Sequence, residues 1–183
     1  VIVGLSGYAQ SGKDTVAQIL VDNYGFTRVS FADPIRALLY ETNPMLKEGY
    51  RVQGLVDSYG WDKVKVDYPE ARLLLQDLGV GARKVFGDDF WIKQALKNIG
   101  FGNYVVTDVR FRNEATAIWS MPGKIWRIKR LGVTAVNAHV SETEMDDYPV
   151  DQIFSNNGTI EELELLVKNR MTNMHHETQM DFE

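Results

Sequence analysis

Val1-Ile2-Val3-Gly4-Leu5-Ser6-Gly7-Tyr8-Ala9-Gln10-Ser11-Gly12-Lys13-Asp14-Thr15 is the stretch from which the rest of the chain can be read. Its first six residues are short, β-branched or small, and uncharged, as a buried central strand requires. Gly7 to Lys13 has the glycine, four residues, glycine, lysine spacing of a phosphate-binding P-loop, and a helical pattern begins at Thr15. In that order the backbone N–H groups of the loop converge on phosphate oxygens, and the helix start adds partial positive charge. Lys13 would reach the outer phosphates. Asp14 stands where a hydroxyl is expected after the lysine, and the hydroxyl appears only at Thr15. A carboxylate beside a triphosphate is unfavourable unless a metal ion or another cation lies between them. The expected site is therefore metal-dependent and nucleotide-binding, made by Gly7, Gln10, Ser11, Gly12, Lys13, Asp14 and Thr15, with the metal at Asp14 and Thr15.

Working outward, strands alternate with helices. Thr15 to Tyr24 predicts a helix closed by Gly25. Phe26 to Phe31 reads as a strand, and Asp33-Pro34 as a helix start with Asp33 the N-cap. The stretch 42–68 is irregular and suggests a short helix plus loop inserted at the sheet edge. Pro69 restarts a helix that should end at Gly79, and Asp88-Asp89 opens another running to about Ile99. Tyr104 to Thr107 predicts a buried strand ending at Asp108, followed by a helix over Asn113 to Trp119. Lys124 to Lys129 and Ile153-Phe154 supply further strands. The polar stretch 132–149 is long for an ordinary connection. Thr159 to Glu162 is a capping box opening a last helix, and the polar tail 172–183 should fray.

This alternation predicts an α/β fold with a parallel sheet covered by helices on both faces. Ligands of such sheets bind at the carboxyl ends of the strands, where the P-loop and Asp108 both fall. The stretches 42–68 and 132–149 could close over that edge as movable covers. At 183 residues one domain, 1–171, is expected ahead of the tail. The net charge of −5 without a long basic run argues against a nucleic-acid polymer as partner. With no cysteine there is no disulfide or thiolate metal site, which fits a reducing cytoplasm. No apolar run reaches the roughly 20 residues of a membrane span, and no basic-then-apolar leader precedes the first strand.

Several side chains are candidates for chemistry. Asp108 would face the metal or an acceptor substrate, or cap a helix. Arg110 serves equally as an anion clamp or a surface ion-pair partner. Arg72 and Gln76, four apart on one helix face, suit phosphate and a base edge, although a solvated face explains the spacing as well. Arg127, Lys129 and Arg130 lead into the long loop, and Arg130 is the preferred cation for a phosphoryl group in flight; an edge strand guarded by charge is the alternative. Trp91 could stack on a base or pack in the core. His139, with Ser141 and Glu142, forms no evident nucleophile–base pair, and His175-His176 lacks companion ligands for a metal.

Several blocks together resemble the bacteriophage-type deoxynucleoside monophosphate kinases. They are Ser11-Gly12-Lys13-Asp14-Thr15, Phe31-Ala32-Asp33-Pro34-Ile35-Arg36, Tyr59-Gly60-Trp61-Asp62, Arg72 to Gly79, Thr107 to Ala115, His139-Val140-Ser141-Glu142 and Asn156 to Leu163. The resemblance implies a P-loop nucleoside monophosphate kinase fold with an acceptor-binding insert at about 42–68 and a lid at about 132–149. It implies transfer of the γ-phosphoryl of ATP to a deoxynucleoside monophosphate with Mg²⁺, and it points to a homodimer. By this likeness Gly7 to Thr15 holds ATP, and Asn156 and Asn157 lie along its adenine. Arg51 and Arg72 look like acceptor-phosphate ligands, Trp91 and Asp108 like acceptor-site residues, and Arg130 like the basic residue leading into the lid. Dephospho-coenzyme A and phosphomevalonate kinases have similar cores and stand as alternatives; a nucleotide-dependent switch is a further one. Arg130-Leu131-Gly132 departs from the family's usual Arg-Pro-Gly turn, and Asn157 from its frequent Asp.

Overall fold

A computed structural model describes residues 1–135 and 143–180, with side chains through residue 174. The chain divides into two compact units, one formed by Val1–Val29 with Ile99–Glu183 and the other by Ser30–Asn98.

The first unit is built on a five-stranded parallel sheet: β1 (Ile2–Ser6), β2 (Thr27–Val29), β3 (Tyr104–Val106), β4 (Gly123–Lys129) and β5 (Gln152–Ser155). Their order across the sheet is β2-β3-β1-β4-β5. β1 is therefore central, with Gly4 level with Val106 on one side and Ile125 on the other. Alternation along β1 sorts its neighbours. Val3 and Leu5 join Val105, Trp126, Ile128 and Phe154 in a core covered by α1 (Lys13–Tyr24) and α7 (Ile160–Met180). Gly4 turns the other way, where a Cβ would lie 2.7 Å from Ile118 of α6 (Arg112–Trp119). A glycine is needed there for that helix to pack so close to the central strand. Gly25 closes α1 with φ 66°, donating its N–H to Val21, while the Phe26 N–H returns to Leu20, the expected left-handed cap. Helix α7 does not fray at residue 172: it runs on to Met180, because Met171 and Met174 continue the apolar stripe of Leu163 and Val167 into the core.

The second unit is helical: α2 (Asp33–Thr42), α3 (Val52–Asp67), α4 (Pro69–Phe86) and α5 (Phe90–Leu96). It is wider than the stretch 42–68, because these helices share a core of Leu39, Leu46, Val52, Leu55, Val64 and Ala71. Three sequence expectations change here. Asp33 lies inside α2, whose cap position is Ala32, and its carboxylate accepts the Ser30 N–H at 3.0 Å. The irregular stretch is mostly α3, bent where Gly60 adopts φ 75° and ψ 159°. Helix α4 passes through Gly79 and Gly81 and stops at Gly87, φ 97°. A glycine inside a helix costs about 1 kcal/mol, and packing of one amphipathic face outweighs it.

Among the described residues no helix is long and apolar enough to cross a membrane.

Candidate active site

The loop after β1 is shaped by two glycines whose backbone L side chains rarely adopt. Gly7 has φ 134°, and a Cβ on it would sit 2.3 Å from the Ile128 carbonyl oxygen. Gly12 has φ 104°, and its Cβ would sit 2.2 Å from Asn156 Nδ2. Gln10 also takes a left-handed conformation, φ 63°. The Ser11 N–H donates to the Tyr8 carbonyl at 3.2 Å, so the backbone wraps into a tight ring at the start of α1. The Lys13 ammonium lies across that ring and donates to the carbonyls of Gly7 at 2.7 Å and Tyr8 at 2.6 Å. The Ser11 hydroxyl is buried beneath the loop with no hydrogen-bond partner among the described residues. A concave backbone, a helix start and a fixed ammonium together make an anion cradle.

Asp14 points outward, its side chain 83% exposed, and pairs with Arg28 of β2 at 2.9 Å. Arg28, which the sequence did not single out, thus supplies a counter-charge to the acid beside the lysine. For a cation the loop offers the Asp14 carboxylate and the Thr15 hydroxyl, hard oxygen donors of the kind Mg²⁺ takes. Engaging Asp14 would mean giving up the Arg28 pair. Among the described residues no three Asp, Glu, His or Cys side chains cluster as a protein-built metal site.

The ends of β3 and β4 flank the loop. Val109 donates its N–H to the Leu5 carbonyl at 3.0 Å, which holds half-buried Asp108 just past the end of β3, the strand next to the P-loop strand. A cavity of about 360 Å³ opens here, bounded by Gly7, Tyr8 and Ser11 and by Arg110, Arg130 and Asp146. Arg110 and Arg130 both reach this cavity, and Asp108 is not among the residues that line it.

Arg127 behaves differently from its neighbours. It shares a face of β4 with Ile125 and is only 7% exposed. Its guanidinium donates to the carbonyls of Asp146 at 2.9 Å, Tyr148 at 2.7 Å, and Met145. Burial lowers its pKa, partly countered by Asp146, Asp147 and Tyr8. Because β4 is buried on both faces from Ile125 to Ile128, alternation alone would not have marked Arg127 as the inward cation.

That fork fixes the backbone of 145–148, and further bonds tie the same segment down. Tyr8 of the P-loop donates to the Asp146 carboxylate at 2.7 Å, which raises the phenol's pKa, with burial adding to the effect. Tyr148 stacks on Trp119 at 5.6 Å, and Arg112 lies over its ring. The Arg112 N–H donates to Glu144 Oε1 at 2.9 Å. Asp151 Oδ2 accepts both the Trp119 indole N–H and the Ile125 N–H at 2.8 Å. Burial pushes the Asp151 pKa up, but these two donors and Lys124 outweigh it and hold the carboxyl below its ordinary value. The expected cover at 132–149 is thus clamped over its last part. The sequence carried no spacing that would announce this clamp. His139, Ser141 and Glu142 lie outside the described residues, as do the side chains of His175 and His176.

Asn156 and Asn157 take structural posts. Asn156 is buried, and its Nδ2 donates to the Ser11 carbonyl at 2.9 Å, bracing the P-loop from below. Asn157 Oδ1 accepts the Leu131 N–H at 2.7 Å, pinning the turn that follows Arg130. Each amide thus spends one of its polar atoms on the backbone, Asn156 in the interior and Asn157 at the surface.

In the second unit, Arg51 precedes α3 and donates to the Asn43 carbonyl at 2.9 Å. Arg72 and Gln76 lie on the exposed surface of α4. Trp91 is 2% exposed, meets Phe90 edge-on and donates its indole N–H to the Gly79 carbonyl at 2.9 Å. Of its two readings, the structure supports core packing, since a stacking ring needs an open face.

No family model matches the sequence. The chain is 32% identical over 176 residues to a protein of Acanthamoeba polyphaga mimivirus named a deoxynucleotide monophosphate kinase, covering 88% of this chain and 91% of that one. It is 24% identical over 236 residues to the deoxynucleotide monophosphate kinase of Enterobacteria phage T4, covering 93% and 98%. Among solved structures it is similar to dephospho-CoA kinase from Campylobacter jejuni, with TM-score 0.51 and 13% identity over 94% of this chain and 96% of that one. At that identity the likeness bears on the fold alone.

Proposed function

Because this chain belongs to the deoxynucleotide monophosphate kinase family, we propose that it transfers the γ-phosphoryl group of ATP to a deoxynucleoside monophosphate. The observation that carries the reading is the P-loop, with Lys13 fixed across the cradle and a cavity beside it that Arg110 and Arg130 reach. ATP would seat its phosphates on the loop N–H groups, with Lys13 on the outer ones. Mg²⁺, if bound with the nucleotide, would draw on Asp14 and Thr15 and would neutralise phosphate charge. Arg130 would stabilise the phosphoryl group in flight, and Asp108 and Arg110 would serve the acceptor side. Arg51 and Arg72 are the candidate ligands for the acceptor's own phosphate. That phosphate is already an oxyanion, so the protein needs no strong base. Its task is alignment and charge neutralisation. Asn156 acts through the loop as a positioning residue.

A coupled assay with each deoxy- and ribonucleoside monophosphate, and with dephospho-coenzyme A as a further acceptor, tests this. ATP consumption should rise only when a deoxynucleoside monophosphate is added. Equal consumption without acceptor, or turnover of dephospho-coenzyme A alone, would overturn the proposal.

A further inference from the structure

Glu114 is the one Asp or Glu among the described residues that is buried, at 2% exposure. Burying a carboxylate is costly unless hydrogen bonds offset it. It stands in the first turn of α6, and its Oε2 accepts two successive backbone N–H groups, from Arg110 at 2.8 Å and Phe111 at 3.0 Å. The Phe111 bond is an ordinary helix cap, since a Glu at the third helical position commonly takes the N–H of the cap residue. The Arg110 bond reaches one residue further back, into the turn that joins β3 to α6. Capping works at an exposed position too, so it does not account for the burial. What the buried carboxylate adds is a hold on Arg110, which borders the cavity beside Gly7, Tyr8 and Ser11.

The turn is fixed from both sides. Thr107 donates its N–H to the Val29 carbonyl and Val109 to the Leu5 carbonyl, each at 3.0 Å. Arg110 comes next and has left the sheet, so its N–H needs another acceptor. Leu5 lies on β1, two residues before Gly7. Glu114 lies on a helix that cannot slide, because Ala115 and Ile118 are fully buried and Ile118 packs over Gly4. Arg110 itself is exposed, so burial does not place it. We propose that Glu114 is a positioning residue for Arg110: by holding that peptide N–H it fixes the span between the guanidinium and the phosphate cradle. The inference rests on the kinase reading above and adds to it a residue that touches no substrate. A guanidinium fork grips an anion in one orientation, which a shifted backbone spoils. A misplacement of about 1 Å can cost about 100-fold in rate.

Reach and charge can be varied separately at this position. Glu114→Gln keeps the reach to the Arg110 N–H and an oxygen with two lone pairs, and loses the charge. Glu114→Asp keeps the charge and is one methylene too short. Both are compared with Arg110→Ala, and with Glu114→Asp made in the Arg110→Ala protein, by the coupled assay and by thermal melting. Glu114→Asp should lower kcat/KM for the monophosphate about tenfold with the ATP KM changed less than about twofold, and Glu114→Gln should stay within about threefold of the parent. In the Arg110→Ala background Glu114→Asp should change kcat/KM by less than about twofold, although it lowers the melting temperature in both. A loss that persists in full without Arg110 would show a merely structural role and overturn the assignment, as would an unchanged kcat/KM in Glu114→Asp. So would a Glu114→Gln variant worse than Glu114→Asp, which would make charge rather than reach the active element. Should the parent turn over no monophosphate, the kinase reading falls, and the same order is then read in the Kd of inorganic pyrophosphate by calorimetric titration. One Kd shared by parent, Glu114→Asp and Arg110→Ala would overturn the positioning role as well.

Discussion

The P-loop of the sheet unit and the open cleft that Tyr50, Tyr59 and Tyr68 line in the helical unit are built on opposite plans. In the loop, Gly7 and Gly12 are wedged so tightly that a Cβ would lie 2.3 and 2.2 Å from its neighbours. In the cleft region, Gly49, Gly54 and Gly60 have nothing within 4 Å of a Cβ. Under the proposed function the loop would meet phosphate with main chain, and the side chains around it mostly hold that main chain in shape: Asn156 on Ser11, Tyr8 on Asp146. The cleft presents side chains on an open floor. A phosphate is the same in every nucleotide and a rigid backbone cradle suits it.

The contrast can be broken most sharply at Lys13. Lys13→Ala should lower kcat by at least about 100-fold, roughly 2.7 kcal/mol, in a protein whose melting curve is unchanged. Turnover within a few-fold of the parent would mean the cradle is not the donor site. Gly12→Ala should raise the ATP KM by about tenfold or more, since a left-handed φ and the Asn156 amide both oppose the methyl group. An unaltered ATP KM would show the loop to be more pliant than its packing. Arg72→Ala should raise the acceptor KM about tenfold with little change for ATP. Parallel changes in both constants would remove Arg72 from the acceptor side. The smallest effect concerns stability alone. Asp151→Ala should cost about 1 kcal/mol at pH 7, because a part-buried backbone N–H and the Trp119 indole N–H lose a charged acceptor. The Asp151 carboxyl titrates lower folded than unfolded. Its contribution is therefore present above the unfolded value of about 3.9 and disappears as pH falls through the folded one. Melting curves of parent and variant should converge below that range, and a constant gap would show that charge plays no part.

The same contrast explains what could be read in advance. The P-loop was legible because its geometry forces residue types at fixed spacing. The parallel sheet and the capping positions of α1 and α7 followed from period and glycine placement. The course of α4 through Gly79 was not, since shared packing outweighed a local helix breaker. Family likeness placed Trp91, Asn156 and Asn157 along ligands, and the structure adds backbone partners for all three that the likeness did not announce. Nothing in one sequence distinguishes an amide that meets adenine from one that meets Ser11. The clamp made by Arg127, Tyr148 and Asp151 was hidden for another reason: its acceptors are mostly carbonyls, which every residue carries.

Lys13 already has oxygen partners of its own in the Gly7 and Tyr8 carbonyls. An arriving polyphosphate therefore swaps one set of acceptors for a better-charged set, with no lone ammonium to be rescued from water. Such a trade asks for little reordering of the chain. The loop should thus look nearly the same with and without nucleotide, and changes of shape during turnover should be sought elsewhere in the protein.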